Sequence, residues 1–227
     1  MSPRVPFAAL LLALLAACAG LQGPGGLPHM ALPASVAGLP EEAFGQPGWG
    51  RRGSFLLGGQ RVRYERGAER LSLFEPLGTA RTPLRYTLAT PGGDSVVGCA
   101  GWPTEPTANS RLVAARPWAL SCRWSGASDA TLQITEGEMR RGRLSREGAY
   151  RRGELTLGLR SVHLLDGNPQ PQATAVGYEM LHEGRVVASL DLSHGRPRLR
   201  RPDPATPLGR AVTEAALVLA LVSEAPG

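Results

Sequence analysis

Beyond residue 50 the apolar positions recur at every second residue in short runs, the spacing that puts one face of a strand on a core and the other in water. Residues 54–57 lead into a Gly58-Gly59 turn, and Gln60-Arg61-Val62-Arg63-Tyr64 alternates on its far side. Further strands are predicted at residues 71–74, 84–88, 95–99, 120–124, 130–135, 154–159 and 162–165, the last ending in the turn sequence Asp166-Gly167-Asn168-Pro169. Residues 175–181 and 186–192 flank His182-Glu183-Gly184-Arg185 and predict a tight hairpin. Strands do not alternate with long helices, which argues against a doubly wound parallel sheet.

The pattern changes once, near the end. Thr206-Pro207 has the form of an N-cap followed by proline in the first helical position, and Glu214 falls in an early turn. Residues 215–222 are then apolar on every side. Such a helix must be buried, and it is too short to span a bilayer. The fold class predicted is therefore mainly β: an antiparallel, barrel-like domain with a buried hydrophobic C-terminal helix. This arrangement, carried by the hairpin Val176-Gly177-Tyr178 … Val186-Val187-Ala188-Ser189-Leu190-Asp191 and the helix at 211–222, resembles the tubby C-terminal-like superfamily, which includes the phospholipid scramblases and LURP-one-related proteins. The resemblance implies strands wound around a central helix and binding at a membrane or to lipid headgroups; it implies no catalytic set. A lipocalin-like barrel and a β-sandwich are the competing architectures.

At the other end, Arg4 precedes an apolar run from Phe7 to Leu15, followed by Ala16-Ala17-Cys18. The run suits the apolar core of an export signal and is shorter than a membrane span. It resembles the lipobox of bacterial lipoprotein signals, which implies removal of residues 1–17 and a palmitate-type lipid on Cys18. Ala19 in place of Asp favours the outer membrane by analogy with enteric sorting, with the domain facing the periplasm. Residues 18–50 are dense in Gly and Pro and are read as a tether, so the domain is taken as residues 51–227. With Cys18 assigned to lipid, an oxidising compartment favours a disulfide between Cys99 and Cys122; two free buried thiols are the alternative.

The formal charge is +6, and all 25 basic residues are arginine. GC-driven codon use accounts for that bias as well as selection for phosphate contacts does. Arg140, Arg141, Arg143, Arg146, Arg151 and Arg152 crowd one stretch, with Arg196, Arg198, Arg200 and Arg201 in a second, and both are read as turns or strand ends. On a tethered domain they are candidates for an anionic surface, either lipid headgroups or other envelope material. The competing reading is a solvated loop. Nucleic acid is excluded by export. Trp49, Trp102, Trp118 and Trp124 bracket the cysteine pair and are expected to pack around it.

Catalytic signals are sparse. Gly93-Asp94-Ser95 and Asp191-Leu192-Ser193-His194 resemble the first and last blocks of GDSL-type esterases, which would make Ser95, Asp191 and His194 a triad. Strands precede Ser95, no helix can follow it through Gly98, Gly101 and Pro103, and the oxyanion blocks are missing. His163, His182 and His194 have no metal-ligand spacing, and with Asp191 and Glu183 they make a metal site only if the fold gathers them. The sequence thus predicts no metal and no cofactor. It points to a non-enzymatic, lipid-anchored envelope protein that binds lipid headgroups or envelope material. A structural or assembly partner of another envelope protein is the alternative, and a GDSL-like esterase the minor one.

Overall fold

The computed structural model describes residues 28–45, 51–66, 81–90, 93–102, 119–127, 129–140 and 143–223. The strands are β1 (Glu41–Ala43), β2 (Arg52–Leu57), β3 (Gln60–Arg66), β4 (Arg81–Thr90), β5 (Gly93–Trp102), β6 (Ala119–Gly126), β7 (Thr131–Arg140), β8 (Arg143–Arg152), β9 (Leu155–Val162), β10 (Gly177–His182), β11 (Arg185–Asp191) and β12 (Arg198–Arg200), followed by the helix α1 (Pro207–Ser223). They form one 12-stranded antiparallel sheet in the order β1-β12-β11-β10-β9-β8-β7-β6-β5-β4-β3-β2. Its two edges meet where the Gly45 amide, just beyond β1, donates to the Leu56 carbonyl of β2 at 2.8 Å. The sheet is therefore a nearly closed barrel, which removes the exposed edges an open sheet would carry.

The alternation read from the sequence sets what lies inside. Phe55 and Leu57, Val62 and Tyr64, Leu84, Tyr86 and Leu88, Val97 and Cys99, Leu120, Cys122 and Trp124, and Leu132 and Ile134 are all buried. Cys99 and Cys122 face each other across β5 and β6, with Cα atoms 4.0 Å apart, and form the predicted disulfide. Trp124 is buried beside this layer, edge-on to Tyr150 and Tyr86. Trp49 and Trp118 and the side chain of Trp102 lie outside the described residues, as does the strand predicted at 71–74.

Helix α1 occupies the barrel. Every residue from Ala211 to Leu221 is buried, and the helix touches β4, β8, β9 and β11, strands spread around the ring. Alanine at 211, 215, 216 and 220 keeps it slim enough for that bore. The predicted cap is present: Thr206 Oγ1 accepts the Gly209 amide at 3.0 Å.

One expectation is corrected and another refined. Residues 28–45, read as tether, belong to the domain. Met30, Val36 and Phe44 are buried, β1 pairs with β12, and Met30 bridges to Leu165. Within this segment Glu41–Ala43 form strand β1, preceded by a 3-10 turn at Ala34–Val36. This strap crosses β10 at Gly177, where a Cβ would collide with Met30 Sδ and the Leu190 carbonyl, so only glycine admits it. The arginine-rich stretch, read as turns or strand ends, is the hairpin β7–β8, with Arg140, Arg143, Arg151 and Arg152 at strand ends and Arg146 within β8. Polar outer faces hid it, because from Ser145 to Arg152 the alternation of β8 has one large apolar member, Tyr150.

Candidate functional site

Strand alternation divides the arginines. In β8, Arg146 and Arg152 share the face of buried Tyr150 and turn inward. Arg146 pairs with Glu136 at 3.2 Å, and Arg152 approaches Glu214 of α1 at 3.8 Å. Arg151 points out and is exposed. Arg141 and the side chains of Arg140 and Arg143 lie outside the described residues. In the second group, Arg196 is exposed, Arg201 is buried, and Arg198 and Arg200 both reach Glu41, at 3.4 and 2.8 Å.

A different set emerges from register. Arg52 lies opposite Glu65, Glu65 opposite Arg85, Arg85 opposite Gly98, Gly98 opposite Arg123, Arg123 opposite Thr131, and Thr131 opposite Arg151. Arg52 is neutralised by Glu65 at 2.6 Å. Arg85, Arg123 and Arg151 remain as an exposed outer-face row on alternate strands, separated only by Gly98 and Thr131. Alternate strands place them about 10 Å apart. Among the described residues none of the three has an acidic partner. No local motif announces this row, since its members are 28 to 38 residues apart in the chain.

A cleft of about 400 Å³ opens on the outer face beneath the strap, lined among others by His29, Glu41, Ser189, Asp191, Arg198 and Arg200. At one end His29 Nδ1 lies 3.1 Å from Asp191 Oδ2. Asp191 Oδ1 accepts the Ser193 amide at 2.8 Å and the Ser193 hydroxyl at 2.5 Å. Ser193 Oγ is also 2.8 Å from His194 Nδ1, and the rings of His29 and His194 lie 4.2 Å apart. The fold thus gathers two histidines and a carboxylate, but the second histidine is His29 rather than His163 or His182. His163 is buried between Ser161 Oγ and the Gln172 carbonyl, and His182 contacts the Thr156 carbonyl. Glu183 is exposed in the β10–β11 turn. The sequence reading missed His29 because it sits in the segment taken as tether.

The esterase triad is not assembled. Ser95 lies on β5 and Asp191 on β11, with five strands between them in either direction around the ring. The Ser95 side chain is fully buried on the inner face, whereas Asp191 and His194 border the outer one. Among the described residues no helix is long and apolar enough to cross a membrane. No protein-family model matches the chain, and neither a curated protein nor a solved structure shows significant similarity to it.

Proposed function

We propose that the protein is a non-enzymatic envelope domain, tethered through lipid on Cys18, that rests its outer face on anionic headgroups or equally anionic envelope material. The observation that carries this reading is the exposed row Arg85, Arg123 and Arg151 on one outer face, which has no acidic partner among the described residues. The bore is taken up by α1, so binding is assigned to the outside of the barrel rather than to an interior ligand. A barrel wound around an apolar helix also supports kinship with the tubby C-terminal-like proteins. In that reading the lipid supplies proximity and the arginines supply orientation. Each arginine near an anionic surface contributes about 1 kcal/mol, so three are worth a shift of roughly 100-fold in partitioning.

Co-sedimentation with phosphatidylglycerol-containing vesicles over a salt series tests this. The expected result is binding that weakens steeply with salt, is lost on neutral vesicles, and falls by at least about tenfold in an Arg85→Gln, Arg123→Gln, Arg151→Gln variant. Binding indifferent to salt and to the triple substitution would overturn it.

A further inference from the structure

We infer that His29, His194 and Asp191 form a binding site for a divalent transition ion of the zinc type, open to solvent on one side. One ligand-competent atom from each residue lies within 4.8 Å of the others, and all three residues are partly buried, His29 and Asp191 in the lining of the cleft. The His29 Nδ1 to Asp191 Oδ2 separation of 3.1 Å is the edge of a coordination tetrahedron. Two ligands each about 2.1 Å from zinc at a near-tetrahedral angle stand roughly 3.2–3.4 Å apart. His194 completes the set from the turn after β11, where it is partly buried and the next two residues, Gly195 and Arg196, are exposed.

The surroundings orient the ligands as outer-shell partners do in metal sites. Ser193 holds Asp191 Oδ1 with both its amide and its hydroxyl, which leaves Oδ2 for the ion. Because the Ser193 proton is donated to the carboxylate, its oxygen accepts from His194 Nδ1, and the lone pair of that imidazole falls on Nε2. Two imidazoles and one carboxylate select zinc, nickel, copper or cobalt over magnesium and calcium, which take all-oxygen shells. Three protein ligands leave a fourth position for water or an anion. The strap brings His29 to this place from 162 residues away, so ion binding also fastens the strap to β11. The site lies on strands remote from the arginine row, so zinc binding and vesicle binding fail independently of each other.

The test titrates the whole chain in detergent with Zn²⁺ alone against a chromophoric chelator. One equivalent is expected to bind. His29→Ala and His194→Ala should each weaken binding by more than the roughly 10–100-fold that loss of an outer-shell partner costs, and Ser193→Ala by that smaller amount. His182→Ala should bind as the parent does. Imidazole resonances of the unmutated protein give a second measurement that needs no variant: those of His29 and His194 should move on adding Zn²⁺. No stoichiometric binding at micromolar free zinc would overturn the assignment. Movement confined to His163 or His182, or unchanged affinity in a folded His29→Ala, His194→Ala double variant, would do so equally.

Discussion

Glu214 is the one ionisable side chain in the buried part of α1, only 4% exposed, and the core is arranged around it. The Tyr150 hydroxyl donates to its carboxylate and Arg152 stands 3.8 Å away. The Tyr86 hydroxyl donates to its backbone carbonyl at 2.9 Å and accepts from the Trp124 indole at 3.1 Å. A buried carboxylate deprived of a donor keeps its desolvation cost, so Tyr150→Phe is expected to destabilise by about 1–3 kcal/mol, read from urea unfolding at neutral pH. Burial, and after it the Glu214 charge, holds the phenols of Tyr86 and Tyr150 well above the ordinary value of 10.0. Below that value folded and unfolded chains both keep these protons; above it only the unfolded chain releases them. Stability should therefore be undiminished by these groups below pH 10 and fall above it, by up to about 1.4 kcal/mol per pH unit for each tyrosine. Thermal melts between pH 9 and pH 11.5 should show a shallower decline in Tyr150→Phe than in the parent; an equal slope would refute the assignment.

Elements were legible where local chemistry determines them. The β10–β11 hairpin is where the sequence put it, with the connection 182–185 tightened by the His182–Arg185 pair to a two-residue turn, Glu183 at φ 49° and Gly184 at φ 76°. Glycine suits such a turn and glutamate does not, because its Cβ crowds the carbonyl in the left-handed region. Glu183→Asn is accordingly expected to stabilise the protein by roughly 0.5–1 kcal/mol, measured as a higher urea midpoint at constant slope. The helix was legible for the same reason, through the Thr206 cap and an unbroken apolar surface. Of the β7–β8 hairpin only the first half of β7 was, because its outer face is polar and its inner face carries Glu136, Arg146 and Arg152, which satisfy one another or Glu214 across the barrel. The His29 cluster was beyond local reading altogether. No spacing rule relates position 29 to position 191, and the only local hint was that Met30, Val36 and Phe44 punctuate an otherwise Gly/Pro-rich run.

At the scale of the whole molecule one side chain beside the last strand ties the first strand to the helix inside the barrel. Arg201, just past β12 and 4% exposed, donates to Glu42 of β1 and to Thr213 of α1, and Thr213 returns its proton to the Gly209 carbonyl at 2.7 Å. These contacts join the earliest described strand to the helix, and the Glu42–Arg201 pair alone spans 159 residues. They can form only after the sheet has wound almost fully round, so they belong to late closure rather than to early collapse. Removing Glu42 strands a buried guanidinium. Glu42→Ala should cost about 3 kcal/mol, the low end for a buried pair because Glu42 keeps 26% of its side chain in solvent. The double variant Glu42→Leu, Arg201→Met removes both charges and should recover much of that loss, since a buried pair is often replaceable by apolar groups of similar volume. If closure comes late, Glu42→Ala should act mainly by speeding unfolding and leave the refolding rate nearly unchanged. Stopped-flow kinetics in urea measure both arms. A slowed refolding arm with an unchanged unfolding arm would place the Glu42–Arg201 contact in the folding nucleus instead, and would mean that the strap docks before the barrel is complete.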